Sequence, residues 1–450
     1  MSFAALALVE PLLRALAELG QVAPTPVQRE AIPAICAGRD IMAAARTGTG
    51  KTAAFALPLL QRLAGGARVQ ANHTRALVLA PTRELAVQVG EALAAYGQYL
   101  PLRIEVVYGG VKINPQMMRL RRGVDILVAT PGRLLDLCHR NAIKFAQVET
   151  LVLDEADRML DLGFSADIGK IVALLPSKRQ NLLFSATCAE GATLILAEKL
   201  LHKPVRIAVD PPNSPAGRVQ QWLYEVDKEK KGPLLCRLLD EHDWQQVLVF
   251  TRTRCNADRL VAQLVAQGVT ALAIHGEKSQ GARARALADF KANTIRVLVA
   301  TDIVARGIDI TELSHVINAE LPKVATDYIH RIGRTGRAGL EGRAISLVSA
   351  DEVHLLSAIE TLLGQRLTRE LAPGFTPQQR LPPTRLITAR PKKPKKPKSV
   401  QVPPQDECQE PVKKGEAPPG QPPQNDRRAE APGAGPEDGV KRKKRAGPGR

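Results

Sequence analysis

Aromatic residues, cysteine motifs and long apolar runs are all scarce in this chain of 450 residues. Phe, Trp and Tyr make up only 3% of it, so a buried core must consist mainly of aliphatic side chains. No run of 18 uncharged apolar residues occurs, which argues against a membrane span or secretory signal and predicts a cytoplasmic protein. The six cysteines form no CxxC or Cys/His spacing, so we expect a reducing compartment and no structural zinc.

Positive charge is plentiful but unevenly distributed. The formal net charge of +18 suggests a polyanionic partner. Residues 376–450 hold 18 Lys and Arg against 8 Asp and Glu, and 16 of the 33 prolines, but no aromatic residue. Such a segment buries too little apolar area to offset its ordering entropy. We therefore predict a disordered basic tail over 376–450.

Two series of short apolar runs, separated by helical stretches, occupy the region between about 40 and 350. This alternation is typical of parallel sheets covered by helices on both faces. Each run ends in polar or small residues, at the sheet edge where open α/β sheets bind ligands. A segment rich in turn formers over 209–217 predicts a linker between two α/β domains, 1–208 and 218–375. The runs span 76–81, 125–131, 150–157 and 181–187 in the first series, and 246–253, 271–276, 296–302 and 315–322 in the second.

A glycine-rich sequence after the first short strand has the pattern of a phosphate-binding loop. Residues 45–52 read ARTGTGKT, with Ala in place of the first Gly, and a helical stretch follows. Glycines let backbone N–H groups turn toward phosphate oxygens, Lys51 supplies positive charge, and the Thr52 hydroxyl can reach Mg²⁺. The strand before and the helix after favour this interpretation over an ordinary glycine-rich turn.

Two adjacent carboxylates end an apolar strand about 100 residues later. In LVLDEAD (151–157), Asp154 can face a metal ion and Glu155 can orient or deprotonate an attacking water, as phosphoryl transfer requires. An acidic helix cap explains the tetrapeptide alone equally well. The presence of Lys51 in the same predicted domain favours the chemical interpretation.

Arginines recur at a spacing of three in the second series. Arg331, Arg334 and Arg337 alternate with glycines, so several guanidinium groups can point toward one anionic centre. A solvated basic face is the usual alternative. The neighbouring sequence TDIVARGID (301–309) argues against that alternative.

In this order, these blocks resemble the DEAD-box RNA helicases, from Phe3 to about residue 375. The amino-acid sequence over 280–309 and 327–348 is similar to that of the bacterial RhlE-type branch. The resemblance implies two tandem RecA-like domains and an enzyme that hydrolyses ATP with Mg²⁺ and unwinds RNA. Further matching motifs are PTRELA (81–86), GG (109–110), TPGR (130–133), SAT (185–187) and QGAR (280–283).

The resemblance also implies a role for each matching position. The catalytic positions are Lys51, Asp154, Glu155, Arg334 and Arg337. The nucleotide-binding positions are Phe3, Gln28, Thr47, Gly48, Thr49, Gly50, Lys51, Thr52 and Asp309, with Mg²⁺ held by Thr52 and, through a water molecule, by Asp154. The RNA-binding positions are Arg83, Gly110, Thr130, Arg133, Arg283 and Thr301, and the positions that couple the two sites are Ser185, Thr187 and His330.

The family has an aromatic residue where this chain has Gln21, and an aromatic is also common at Ala319. The leading hypothesis is an RNA-dependent ATPase that locally unwinds short RNA duplexes or remodels RNA–protein complexes, in ribosomal or RNA-decay assemblies. An ATP-gated RNA clamp or annealing chaperone is the alternative, and a DNA helicase is a weaker one. Contacts to phosphate and sugar predict binding largely independent of RNA sequence. The tail is expected to tether RNA, with increased solubility as the alternative; a nuclear localisation signal is a third alternative that the bacterial resemblance argues against.

Overall fold

The computed structural model describes residues 2–45, 48–186, 191–209, 219–302, 313–336 and 341–385. We call the described residues up to 209 domain 1 and those from 219 domain 2. The helices of domain 1 are α1 (Glu10–Glu18), α2 (Pro26–Cys36), α3 (Lys51–Ala64), α4 (Arg83–Tyr96), α5 (Ile113–Leu120), α6 (Pro131–His139), α7 (Ala156–Asp161), α8 (Ser165–Leu174) and α9 (Gly191–Leu200). Its strands are β1 (Ile41–Ala44), β2 (Thr74–Leu79), β3 (Ile104–Val107), β4 (Val124–Ala129), β5 (Thr150–Leu153), β6 (Gln180–Ser185) and β7 (Val205–Ala208).

Domain 2 repeats this alternation of strands and helices. Its helices are α10 (Lys231–Glu241), α11 (Arg254–Ala266), α12 (Gln280–Lys291), α13 (Ala325–Ile332) and α14 (Val353–Leu363). Its strands are β8 (Val219–Glu225), β9 (Val247–Thr251), β10 (Ala271–Ile274), β11 (Val297–Thr301), β12 (His315–Asn318), β13 (Gly342–Val348) and β14 (Thr368–Glu370). Short 3₁₀ segments occur at Phe3–Leu6, Lys228–Lys230 and Ala350–Glu352.

Domain 1 contains a seven-stranded parallel sheet in the order β3-β4-β2-β5-β6-β1-β7. In its centre, Leu77 is in register with Leu127 on one side and Leu151 on the other. Successive strand residues point to opposite faces of a sheet. Accordingly, Val78 packs into one aliphatic core and Leu77 into the other, so helices cover both faces.

Domain 2 contains a second seven-stranded parallel sheet, in the order β10-β11-β9-β12-β13-β8-β14. Val249 at its centre is in register with Val299 and Ile317. Aliphatic cores again lie on both faces of the sheet. The predicted fold class, two tandem α/β domains with parallel sheets, is confirmed.

Each of the eight predicted runs overlaps a strand, but several strands lie outside the runs. The missed strands include β3, β7 and β14, which are three of the four sheet edges and are only partly buried. Edge strands are short and more polar than central ones, so they lack the continuous apolar signal. Within the described residues, no helix combines the length and the apolar character that crossing a membrane requires.

The predicted limits of the linker and of the tail can be compared with the structure. The first sheet ends at Ala208 and the second begins at Val219, while 210–218, most of the predicted linker, lies outside the described residues. The predicted tail begins ten residues too early, since residues 376–385, here called the C-terminal strap, pack on domain 2. Leu381 of the strap is 6% exposed, and the Thr384 hydroxyl donates to the buried carboxylate of Glu360. Residues 386–450 lie outside the described residues.

Candidate active site

The phosphate-loop sequence turns sharply between β1 and α3. Gly48 and Gly50 both have φ near +87°, a left-handed conformation that glycine adopts readily. A Cβ on Gly50, the N-cap of α3, would lie 2.3 Å from Nε2 of Gln28. Lys51 begins the helix and is 7% exposed, and its Nζ has no hydrogen-bond partner among the described residues. A buried ammonium group at a helix N-terminus fits an anionic ligand such as a phosphate.

The two adjacent carboxylates follow β5 directly. Burial raises the pKa of Asp154 to about 7, while the Lys51 ammonium opposes this rise. Oδ1 of Asp154 accepts a hydrogen bond from the backbone N–H of Glu155 at 3.0 Å. Glu155 has φ 50° and ψ 54°, a left-handed conformation that is uncommon for a residue with a Cβ and clusters at functional sites. Burial raises the pKa of Glu155 as well, against the charges of Lys51 and Arg334.

A small cavity lies between the domains and joins residues of both. Lys51 and Glu155 reach it from domain 1, and His330 and Arg334 reach it from domain 2. Burial lowers the pKa of His330 to about 4; Asp157 opposes this shift, and nearby cations add to it. His330 is therefore neutral at pH 7 and able to both donate and accept hydrogen bonds. The cavity is lined by Lys51, Glu155, Asp157, Arg158, Asp161, Ala186, His330 and Arg334.

Two further polar contacts join the domains. Nη2 of Arg158 in α7 donates to the backbone carbonyl of Asp302 at 3.1 Å. Arg283 of α12 forms an ion pair with Glu84 of α4, and each side chain is only 7% exposed. The structure therefore has the domains in contact, with charged groups of each domain buried against the other.

Gln28 links the start of α2 to the phosphate loop. Its Oε1 accepts from the backbone N–H of Thr25 at 2.9 Å, and its Nε2 donates to the carbonyl of Gly50 at 3.1 Å. Gln28 is 3% exposed, and Phe3 is 4% exposed in the core of domain 1. These bonds tie the glutamine to the backbone at the first helical turn that follows the loop.

Gln21, which replaces an aromatic residue of the family pattern, makes a polar contact instead. Its Nε2 donates to the hydroxyl oxygen of Tyr96 in α4 at 3.0 Å. Burial raises the pKa of Tyr96, so the phenol stays protonated. The amide therefore fixes the segment before α2 to α4 by a hydrogen bond rather than by aromatic packing.

The RNA-binding positions predicted in domain 1 follow the carboxyl ends of β2, β3 and β4. Arg83 lies against Gly110, where a Cβ would approach its Nη1 to 2.0 Å. Gly110 has φ +77°, so this close approach and the backbone conformation both favour glycine. Nη2 of Arg133 donates to the carbonyl of Val111 at 2.9 Å, and Thr130 is the N-cap of α6. These four positions lie at the same edge of the sheet.

In domain 2, the predicted RNA-binding positions are buried, as Thr130 and Arg133 are in domain 1. Thr301 ends β11 and is 7% exposed. Arg283 is 6% exposed and engaged with Glu84, so its contact to RNA stays a prediction. Ser185, predicted to couple the two sites, is fully buried at the end of β6. Four predicted positions lie outside the described residues, namely Thr47, Thr187, Asp309 and Arg337.

Arg331, the first arginine of the predicted anion-facing series, corrects the sequence interpretation. It is 1% exposed, and its Nε and Nη2 donate to the two carboxylate oxygens of Asp302 at 2.6 and 2.8 Å. Nη1 donates to Oδ1 of Asn318 and to the carbonyl of Glu320, and the guanidinium lies over the Phe250 ring. Arg331 thus holds α13 to the strand ends, while Arg334 faces the cavity. The spacing of the two arginines contains no signal that separates them.

Comparison with known proteins agrees with this arrangement. A DEAD/DEAH box helicase model matches residues 25–195, and a model of the helicase conserved C-terminal domain matches 230–339. The DEAD-box ATP-dependent RNA helicase CshA of Bacillus cereus is 42% identical over 384 residues, which cover 84% of this chain and 72% of the relative. RhpA of Helicobacter pylori is 43% identical over 349 residues, 77% of this chain and 70% of that helicase. This chain belongs to the DEAD-box RNA helicases.

Solved structures extend the comparison of this DEAD-box protein to domain arrangement. Saccharomyces cerevisiae Dbp5 bound to RNA and ADP BeF3 is similar with a TM-score of 0.74 at 31% identity, over 82% of this chain and 95% of that one. A Dbp5 variant bound to Nup159, a Gle1 variant, IP6 and ADP has a TM-score of 0.57 at 29% identity, over 81% and 96%. By TM-score, the structure is therefore more similar to Dbp5 bound to RNA and ADP BeF3 than to the variant bound to Nup159, a Gle1 variant, IP6 and ADP.

Proposed function

We propose that this chain is an ATP-dependent RNA helicase that locally unwinds short RNA duplexes or remodels RNA–protein complexes, coupled to RNA-stimulated ATP hydrolysis. The observation that carries the proposal is the cavity between the domains. It combines Lys51 and Glu155 of domain 1 with His330 and Arg334 of domain 2. A reaction centre divided in this way is complete only when the domains meet.

The described residues fit a nucleoside triphosphate with Mg²⁺. The unpartnered, buried Nζ of Lys51 suits a phosphate, and the Asp154 carboxyl and Thr52 hydroxyl are oxygen ligands of the kind Mg²⁺ prefers. No group of three or more His, Cys, Asp or Glu that could hold a metal ion by itself occurs among the described residues. When bound, Mg²⁺ neutralises charge on the phosphates.

Glu155 and Arg334 have complementary tasks in this proposal. Glu155 orients the attacking water and accepts its proton, and Arg334 neutralises charge that develops on the transferred phosphoryl group. Arg337, Asp309 and Thr47, outside the described residues, keep their proposed roles as second arginine finger, ribose contact and phosphate contact. A cis-acting arginine finger contributes roughly 10³ to 10⁵ in rate. Hydrolysis is therefore slow with the domains apart and fast with them together.

RNA is proposed to lie across the strand ends of both domains. Arg83, Gly110, Thr130 and Arg133 support this in domain 1, since they share one sheet edge and offer a guanidinium, a hydroxyl and close backbone approach. Such groups bind phosphate and sugar, so recognition is largely independent of sequence. Thr301 and Arg283 complete the surface in domain 2.

ATP and RNA both favour the joined arrangement in this proposal, so each increases the affinity for the other. Ser185, Thr187 and His330 are the proposed link between the two sites. His330 supports this role because it lies on α13 beside Arg331 and lines the cavity.

A duplex-unwinding assay tests the function. Purified protein should separate a short RNA duplex with ATP but not with ADP, and single-stranded RNA should stimulate its ATPase. Glu155→Gln should abolish turnover and keep nucleotide-dependent RNA binding, while Arg14→Gln on the exposed face of α1 should behave as wild type. Equal strand separation with ATP and a nonhydrolysable analogue would support the clamp or annealing chaperone instead. Stronger ATPase stimulation by DNA than by RNA would contradict an RNA substrate.

Three finer assignments complete the proposal. The sequence over 280–309 and 327–348 supports the RhlE-type branch, and a cytoplasmic location suits the proposed substrates. Crosslinking of the protein to cellular RNA would distinguish ribosomal from RNA-decay assemblies. The part of the predicted tail beyond the strap, 386–450, is proposed to tether RNA. Deletion of 386–450 should then reduce the dependence of RNA affinity on salt, and an unchanged slope would contradict tethering.

A further inference from the structure

Arg158 makes a polar contact between the domains that the sequence motifs do not assign. It lies in the first turn of α7, three residues after Glu155. Its side chain is largely buried, and Nη2 donates to the backbone carbonyl of Asp302 in domain 2 at 3.1 Å. This is the one side-chain hydrogen bond that Arg158 makes within the described residues, and its Nε has no partner there. The position of the guanidinium therefore depends on domain 2.

The acceptor of this bond is placed between two functional elements. Asp302 directly follows Thr301, the proposed RNA contact at the end of β11. Its carboxylate accepts two hydrogen bonds from Arg331, which is fully buried in α13. The same helix carries His330, which lines the cavity. Arg158 thus contacts Asp302, the residue that links the proposed RNA contact Thr301 to helix α13.

The surrounding charges favour a cationic side chain at this position. Burial lowers the pKa of Arg158, and the carboxylates of Glu155, Asp302, Asp161 and Asp157 oppose this shift. A hydrogen bond from a charged donor is stronger than a neutral one in a buried site. When the domains separate, the guanidinium loses its acceptor in domain 2. Its hydrogen bond therefore stabilises the joined arrangement selectively.

We propose that Arg158 is a positioning residue that couples nucleotide binding to RNA binding by holding Asp302 of domain 2, the residue after Thr301, against α7 of domain 1. The inference rests on the proposed function and adds a residue to it. Arg158 acts through Asp302, and neither the hydrolysis step nor the RNA contact requires it directly. Its loss should weaken the mutual effect of the two ligands more than the binding of either ligand alone.

The test measures RNA affinity in two nucleotide states. Fluorescence anisotropy of a labelled single-stranded RNA gives the Kd with ADP and beryllium fluoride and the Kd with ADP alone. Arg158→Met removes the donor, and Arg158→Lys keeps the charge with a less suitable geometry. Arg179→Met is the matched control, because Arg179 is partly buried in domain 1 and donates to the carbonyl of Pro176 in its own domain.

Arg158→Met should reduce the ratio of the Kd in ADP alone to the Kd in ADP and beryllium fluoride about ten-fold, which corresponds to about 1.4 kcal/mol. The Kd in ADP alone should not change. The RNA concentration for half-maximal ATPase should increase, Arg158→Lys should recover part of the ratio, and Arg179→Met should equal wild type. A ratio within two-fold of wild type in Arg158→Met would overturn the inference. An equal loss of RNA affinity in both states, or a lower Tm than Arg179→Met, would also overturn it. If the wild-type protein shows no nucleotide effect on RNA affinity, the proposed function itself fails.

Discussion

The ion pair between Glu84 and Arg283 should contribute to the joined arrangement of the domains. Both side chains are only 7% exposed, and they belong to different domains. Neither carboxylate oxygen of Glu84 has a well-aligned hydrogen bond among the described residues, so the contact is close but not optimally oriented. Removal of one partner from a buried pair typically destabilises by about 3–5 kcal/mol, because the other charge stays buried.

The expected effect on RNA affinity is smaller than that value. When the domains separate, both side chains regain water, so the pair affects only the equilibrium between separated and joined domains. With the imperfect orientation, we expect about 1.5–3 kcal/mol, or a roughly 10- to 150-fold weaker RNA affinity in the presence of ADP and beryllium fluoride. Glu84→Ala and Arg283→Ala should each show this loss, and the Kd with ADP alone should change little.

A double-mutant cycle separates the ion pair from a direct RNA contact of Arg283. If the pair matters, Arg283→Ala should have a much smaller effect in the Glu84→Ala background, and the residual effect measures the RNA contact alone. The reversed pair, Glu84→Arg with Arg283→Glu, should recover part of the affinity. Arg285→Ala, an exposed residue of the same helix, is the control. A coupling energy below about 0.5 kcal/mol would refute the reasoning.

Three further predictions concern the loop, the strap and pH. Gln28→Glu replaces the NH₂ group that donates to the Gly50 carbonyl by an oxygen, so the KM for ATP should increase at least ten-fold. Gln28→Asn should have a smaller effect, and a KM equal to that of the wild-type protein in Gln28→Glu would contradict the prediction. A chain that ends at residue 375 exposes Glu360 and loses the buried Leu381, so the free energy of unfolding of domain 2, measured in urea, should fall by about 3 kcal/mol. A chain that ends at residue 385 should be as stable as the full chain, and equal stability of the two shortened chains would contradict the prediction. Burial lowers the pKa of His315 to about 4, so the unfolded state binds more protons than the folded state between pH 6.5 and 4. The free energy of unfolding of domain 2 should therefore fall by about 2–3 kcal/mol as the pH falls from 6.5 to 4, and it should not do so in His315→Phe. Tryptophan fluorescence monitors this unfolding because both tryptophans lie in domain 2, and equal pH profiles of the two proteins would contradict the assignment.

The central strands and the chemistry at their ends were predictable because both depend on local sequence. A buried parallel strand needs a continuous apolar run, and the ligand groups follow directly after it. For the same reason, the sequence alone predicted that Asp154, Glu155 and Lys51 lie at one edge of the sheet. Strap residue Leu381 could not be placed, since composition averages over 376–450 conceal ten residues that pack on domain 2.

The contacts between the domains were not predictable in the same way. Arg158, Glu84 and Arg283 carry no local signal that one charge will face another more than 100 residues away, since their partners depend on how two separately folded sheets meet. Spacing alone also treats Arg331 and Arg334 alike, although the first is buried against Asp302 and the second faces the cavity. The motifs thus identify the groups proposed to react, but they do not show which charged groups of one domain contact the other. Coupling should therefore be more sensitive than hydrolytic chemistry to substitutions outside the motifs, and Arg158 provides the direct comparison with Glu155.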